Sequence, residues 1–376
     1  MDDLSFWVRQ LPAKKGNVSP AILILWSALV LLTAGGGGPR LSVQSTPSDF
    51  TVAFVGDQGI GAGAVAVLSL IAAENTDMVI HQGDLGYTID ADAWDQMITD
   101  ALGLNFPYFA SVGNHDCDGS AGCDGPGLWP DYSQKLQERL DRVVGASCTG
   151  ELGVNSACTY NGLFFVLSGP ATMGSGHAQY IEAELAADDS LWRVCSWHRV
   201  ERLMQVGGKS DEVGWDPYDK CREGGAIVAT GHEHSYSRTH LMDSFETQSI
   251  ASTSSTLVIG AGQSFAFVSG LGGQSIRGQD DALAANPWWT SVYTSAQGAN
   301  YGALFCTFNK DGDPGSAHCY FKDIDGVVAD DFHLSTVVAA ASVPATNLTG
   351  LGIIFASFLV LTVLTTRRIR VNLASC

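Results

Sequence analysis

Five short apolar runs in this chain are each followed at once by residues that can bind a metal ion or move a proton. FTVAFV (50–55) leads into GDQG, with Asp57. MVIHQ (78–82) leads into GDLGY, with Asp84 and Tyr87. YFASV (108–112) leads into GNHD, with Asn114, His115 and Asp116. WRVCSW (192–197) is followed by His198, and AIVAT (226–230) by GHEHSYSR, with His232 and His234. Singly these residues say little. An Asp after a strand is ordinarily a turn or cap residue, and Asn settles readily into a left-handed turn. A lone His is more often a satisfied core residue than a ligand, and a Tyr is by default a packed aromatic. Together, carboxylates, imidazoles, an amide and a phenol arriving at successive strand ends make a donor set for a divalent or trivalent ion.

The elements that must position these groups alternate. The runs at 50–55, 78–82 and 108–112 read as strands, separated by helices over 61–74 and 91–102, a βαβαβ order that implies a parallel sheet buried between helices. FFVLS (164–168), a helix over 176–187, WRVCSW, a helix over 216–223 and AIVAT continue the alternation. In such sheets the active groups collect just past the carboxyl ends of the strands, where all five motifs fall. TLVIG (256–260), ALFCTF (303–308) and AHCYFK (317–322) read as an antiparallel meander. Residues 261–302, rich in Gly and Gln and carrying Trp288 and Trp289, read as one long ordered loop.

The series GDQG, GDLGY, GNHD, SWH and GHEH resembles the calcineurin-like metallophosphoesterases, and most closely their purple acid phosphatase branch. The resemblance spans Thr51 to Phe321 and implies an α/β fold, a β-sandwich flanked by helices in α/β/β/α layers. It implies two metal ions. Fe(III) would sit at Asp57, Tyr87 and His234, and Fe(II), Zn(II) or Mn(II) at Asn114, His198 and His232, with Asp84 bridging. Gly59 stands where colourless relatives place another histidine, in keeping with a tyrosinate ligand. The resemblance gives His115 the role of meeting the phosphate and protonating the leaving group, with Asp116 orienting it. Plant members carry a further His pair soon after the His198 position. Here RVERLMQVGGKSDEVGW has no His, and Arg199, Arg202 or Lys209 would have to supply that positive charge. The expected reaction is hydrolysis of phosphomonoesters, on a phosphorylated small molecule or phosphoprotein, by a metal-activated nucleophile. The alternatives are phosphodiester or nucleotide hydrolysis, or an inactive receptor-like member.

The rest of the chain concerns address. Of 376 residues, 39 are acidic and 20 are Lys or Arg. All of the excess negative charge falls on 50–341, since both flanks are net basic, and a body so acidic repels phosphate backbones and argues against a nucleic-acid partner. SPAILILWSALVLLTA (19–34) follows Arg9, Lys14 and Lys15, so 1–34 reads as a signal peptide or signal anchor, with 35–49 a Gly-, Ser- and Pro-rich linker. Leu348–Thr366 carries no charge and, at about 1.5 Å per residue, spans roughly 28 Å, enough for a transmembrane helix. RRIR follows it, which predicts a short basic cytoplasmic tail (367–376) and a catalytic domain (50–341) that is extracellular or lumenal. The close pairs Cys117/Cys123, Cys148/Cys158 and Cys306/Cys319 read as disulfides of an oxidising compartment, while Cys195 and Cys221 read equally as plain core residues. The Gly59–Ala64 stretch fits G-x-G-x-x-A, but the acidic residue a dinucleotide site needs at the end of the second strand is missing, since Asp77 precedes that strand, so it reads as a helix entry.

Overall fold

The computed structural model describes residues 46–117 and 129–336. The signal segment, most of the 35–49 linker, Cys123, the Leu348–Thr366 span and the basic tail lie outside them. Among the described residues no helix is long and apolar enough to cross a membrane.

The first part of the chain runs β1 (Phe50–Val55), α1 (Ala62–Ala73), β2 (Met78–His81), α2 (Ala91–Leu102), β3 (Tyr108–Ala110) and α3 (Trp129–Leu140). A hairpin of β4 (Ser147–Glu151) and β5 (Asn155–Tyr160) follows, then β6 (Leu163–Ser168), α4 (His177–Ala187), β7 (Trp192–Ser196), α5 (Trp215–Glu223) and β8 (Ile227–Thr230). The remainder is mostly strand: β9 (Tyr236–Thr239), β10 (Leu241–Ser244), β11 (Ser249–Ser252), β12 (Thr256–Ile259) and β13 (Ala266–Ser269). Then come α6 (Asp281–Ala284), β14 (Trp289–Tyr293), β15 (Gly302–Phe308), β16 (Ser316–Asp323) and β17 (Val328–Thr336).

Two sheets result. The first has the order β12-β17-β16-β15-β1-β2-β3 and the second β14-β9-β13-β8-β7-β6-β5-β4. Strands β1, β2 and β3 are parallel, as are β6, β7, β8 and β13. The period of two along β1 shows why the sheets stack. Phe50, Val52 and Phe54 enter the core between the sheets, where Phe54 meets Phe267 edge to face at 5.3 Å. Ala53 and Val55 point the other way, into the layer beneath α1, α2 and α3. Helix α1 buries Ala64, Val67, Leu68 and Ile71, the stripe a helix needs to lie on a sheet. Trp197 and Tyr218 pack behind the second sheet, with α4 and α5. The layers are therefore α/β/β/α, as expected.

Three features differ from the sequence reading. The 261–302 stretch is not a loop: β13 is a buried interior strand and β14 an edge strand of the second sheet. β12 pairs parallel with β17, so it is not part of an antiparallel meander, whereas β15 and β16 are antiparallel as expected. Cys195 and Cys221 are joined, tying β7 to α5 across 6.2 Å between Cα atoms. Cys148–Cys158 and Cys306–Cys319 form as expected, and Cys117 is disulfide-bonded. Replacing Cys195 and Cys221 together by Ala frees a loop of this length in the unfolded chain. The expected cost is about 3 kcal/mol, read as a lower urea midpoint with a slope that rises, because the freed loop exposes more surface in the unfolded chain.

Candidate metal centre

The first sheet delivers Asp57, Asp84, Tyr87 and Asn114 from the loops after β1, β2 and β3. The second delivers His198 after β7 and His232 and His234 after β8. The loops are locked before any side chain is considered. The amides of Asp57, Gln58 and Gly59 donate to the carbonyls of Gly83, Asp84 and Leu85 at 3.1, 3.0 and 2.9 Å. Asp57 and Asp84 in this ladder lie at φ of 59° and 58°, with Tyr87 at 51° and His232, whose amide donates to Asp57, at 68°. Left-handed backbone at non-glycine residues costs roughly 1–2 kcal/mol each and persists only where the surroundings over-determine it. Gly113 allows the two loops to touch: a Cβ there would lie 2.0 Å from the Asp84 amide nitrogen and 2.3 Å from its Oδ1.

Two clusters of donor atoms emerge. In one, the Tyr87 hydroxyl lies 3.1 Å from both Asp57 Oδ1 and His234 Nε2, and His234 Nε2 lies 3.2 Å from Asp57 Oδ1. In the other, His198 Nε2 lies 2.9 Å from Asn114 Oδ1, 3.2 Å from Asp84 Oδ2 and 3.0 Å from His232 Nδ1. The second set does not close as hydrogen bonds. His198 Nδ1 donates to the Gln82 carbonyl at 2.8 Å, which leaves a lone pair on Nε2 of the neutral ring. That lone pair faces a carboxylate, an amide oxygen and a third ring nitrogen. His232 repeats the pattern, with Nε2 3.0 Å from Glu212 Oε2 and Nδ1 turned inward. His234 Nδ1 meets the Ser275 hydroxyl, leaving Nε2 for the cluster. Outer partners that fix the tautomer and leave one nitrogen bare are what metal-binding histidines require. The residues present therefore fit a cation in each cluster, and Asp84 lies between them.

The electrostatics agree. Burial would raise Asp57, but the imidazoles of His234 and His198 outweigh it and hold the carboxyl below its usual range. Asp84 is likewise held well down against burial, chiefly by His198. Burial lowers His232 to about 4, and the Glu212 carboxylate only partly opposes it. With no ion present, Asp84 and Asp57 push His198 up to about 9 despite burial, so the neutral ring protonated at Nδ1 is the form that a bound cation would select by displacing the Nε2 proton. Burial first, then Asp57 and Asp84, raises the Tyr87 phenol far above its ordinary value. Only a strongly positive neighbour would ionise it there.

The remaining sequence candidates fall into place around this centre. His115 is half-buried, its ring 4.6 Å from that of Tyr87 and its amide bonded to Asp84 Oδ1 at 2.8 Å. Asp116 takes a different part from the one the resemblance implies. Its carboxylate accepts the amides of Leu85, Asp84 and Gly113 at 2.7, 2.9 and 2.7 Å, so it sets the loop that carries Asp84. Arg199 lies 3.1 Å from Glu212 and Arg202 donates to Asp280 at 3.0 Å, so both cations are matched by acids of their own. Lys209 is half-buried, its ammonium lowered by burial and by Arg277. Sequence reasoning missed Glu212 and Arg277. Arg277 donates to the His232 carbonyl at 3.0 Å and lies 3.7 Å from buried Glu233. Neither carries a motif; each is one polar residue in an irregular segment.

Comparison with known proteins agrees with this geometry. The family model described as calcineurin-like phosphoesterase matches residues 50–236. Purple acid phosphatase 22 of Arabidopsis thaliana is 34% identical over 89 residues, 22% of this chain and 20% of that protein. The purple acid phosphatase PPD1 from yellow lupin (Lupinus luteus) seeds superposes with a TM-score of 0.58 at 18% identity, over 81% of this chain and 58% of that one. GAP50, the anchor in the inner membrane complex of Plasmodium, superposes at 0.50 and 10% identity, over 81% and 94%. The match thus spans about a fifth of the Arabidopsis relative and just over half of the lupin protein, and the structural likenesses speak for the fold alone. With the five motifs converging as they do, residues 50–236 belong to the calcineurin-like phosphoesterases, and the relative matched in sequence is a purple acid phosphatase.

Proposed function

We propose that this chain is a dinuclear-metal phosphatase that hydrolyses phosphomonoesters. One observation carries the reading: His198 Nε2, with its ring proton given to Gln82, meets three further donor atoms within 3.2 Å. Asp57, Tyr87 and His234 would hold a ferric ion. Asn114, His198 and His232 would hold Fe(II), Zn(II) or Mn(II), and Asp84 both. Bound there, two such ions supply Lewis acidity and a nucleophile at neutral pH. The chain does the rest. His115, half-exposed beside Tyr87, donates a proton to the departing alkoxide. Arg277 sets a guanidinium against the His232–His234 segment, where it offsets charge on the phosphoryl oxygens. The acidic surface does not prevent this, because bound cations dominate the local field.

The same proposal includes address. Three disulfides among the described residues support an oxidising compartment. With the apolar Leu348–Thr366 stretch and the RRIR that follows it, they support a reading in which the catalytic domain lies outside the cell or in a lumen, tethered by a C-terminal helix.

The test is metal content and visible spectrum of the purified chain, followed by turnover of nitrophenyl phosphate against its bis-ester. Two metals per chain, one of them iron, a broad visible band and faster monoester turnover are expected. A colourless two-metal protein that prefers the diester would make it a diesterase. A folded protein that takes up no metal would leave an inactive member of the fold. Tyr87→Phe should abolish the visible band while the far-ultraviolet circular dichroism stays unchanged. Gly113→Ala keeps every ligand but forces the Asp84 loop to move. A displacement near 1 Å should cost about 10²-fold in turnover, and the overpacked loop should lower the thermal midpoint as well.

A further inference from the structure

A second group of metal-ligating side chains lies outside the catalytic centre. His318 on β16 and His333 on β17 are direct register partners across the antiparallel pair. Their rings stack with centroids 4.8 Å apart and planes 27° from parallel. Asp331 is two residues before His333, hence on the same face of β17, diagonal to His318. Both of its carboxylate oxygens lie 3.2 Å from His318 Nε2. One ligand atom from each of the three can be chosen so that all lie within 4.8 Å of one another. The group faces water: Asp331 is 58% and His318 26% exposed.

We infer that His318, His333 and Asp331 form a surface site for a divalent first-row transition ion, of which zinc is the test case. Two imidazoles and a carboxylate, with water completing the shell, suit zinc, nickel and copper, whereas calcium and magnesium prefer all-oxygen sites. A tetrahedral zinc with bonds of about 2.0–2.1 Å needs its ligands roughly 3.3 Å apart. Exposed side chains on neighbouring strands reach that by side-chain rotation. The backbone need not move, because the ladder already fixes the three Cβ positions.

The place of the site suggests its use. One register pair away, Cys306 and Cys319 tie β15 to β16 on the inward face of the same sheet. An ion on the outward face would tie β16 to β17. The two links together would fasten three consecutive strands, one covalently and one reversibly with metal supply.

The experiment is equilibrium dialysis of the full chain against zinc chloride, up to about 100 μM free ion, beside His333→Ala and His318→Ala. Neither residue belongs to the catalytic centre, so the zinc held there is common to all three proteins. The wild type should bind one equivalent more than either variant, and zinc should raise its thermal midpoint further. Loss of a direct ligand should weaken that equivalent by at least about 100-fold. Should one variant fold poorly, the other decides. Equal zinc counts in the wild type and a folded variant overturn the site, whatever the phosphatase assay shows.

Discussion

Asp84→Asn is expected to reduce phosphomonoester turnover by at least about 10³-fold, the scale on which a single preorganised electrostatic group matters. The carboxylate stands between the two donor clusters, and among the described residues no other shares that place. Its Oδ2 lies 3.2 Å from His198 Nε2, while Oδ1 accepts the amide of His115. An asparagine preserves volume and can keep the amide contact, but it removes the charge that both clusters share. Metal content should fall in the same variant, as seen by elemental analysis after gel filtration. Normal turnover by Asp84→Asn would sink the site assignment.

The second large effect is on stability. Arg238 on β9 reaches across to the other sheet and is held by Asp330 on β17 through two contacts, at 2.6 and 2.9 Å. The Tyr236 hydroxyl adds a third bond to Asp330 at 2.7 Å, and the guanidinium lies 3.7 Å above the Phe332 ring. The side chains are only 4% and 7% exposed. Arg238→Met should therefore cost about 3–5 kcal/mol, because it strands a buried carboxylate. The double change Arg238→Met with Asp330→Leu should recover most of the loss. Urea unfolding of the three proteins checks both statements. A single variant as stable as the wild type would show that the pair contributes nothing.

The motifs were legible because each follows an apolar run, four of the five with a glycine at the turn, and such runs are the strongest strand signal a sequence offers. Asp57, Asp84, Tyr87, Asn114, His198, His232 and His234 all lie where that rule puts them. What escaped was carried by weaker chemistry. β4 reads SCTGE and is almost wholly exposed, so it shows no alternation to detect. β13 has four buried residues in a Gly-rich stretch, too few to stand out from a loop. The parallel pairing of β12 with β17 joins segments far apart in the chain, and no local pattern encodes it. Glu212 and Arg277 are visible only once folding has brought them to His232. Arg238 had a position in a motif but no role until Asp330 appeared opposite it.

Each cluster of the candidate metal centre draws on both sheets, and the Asp57 carboxylate meets the amide of His232 from 175 residues away in sequence. Such a centre cannot assemble until the sandwich has closed. Contacts so distant in sequence are the slowest to be gained, because loop closure must come before they stabilise anything. Ions that bind only the closed state therefore arrive after the rate-limiting barrier. They should leave the folding rate almost unchanged and slow unfolding instead. For this chain metal loading would act as a clasp that sets how long the native state lasts.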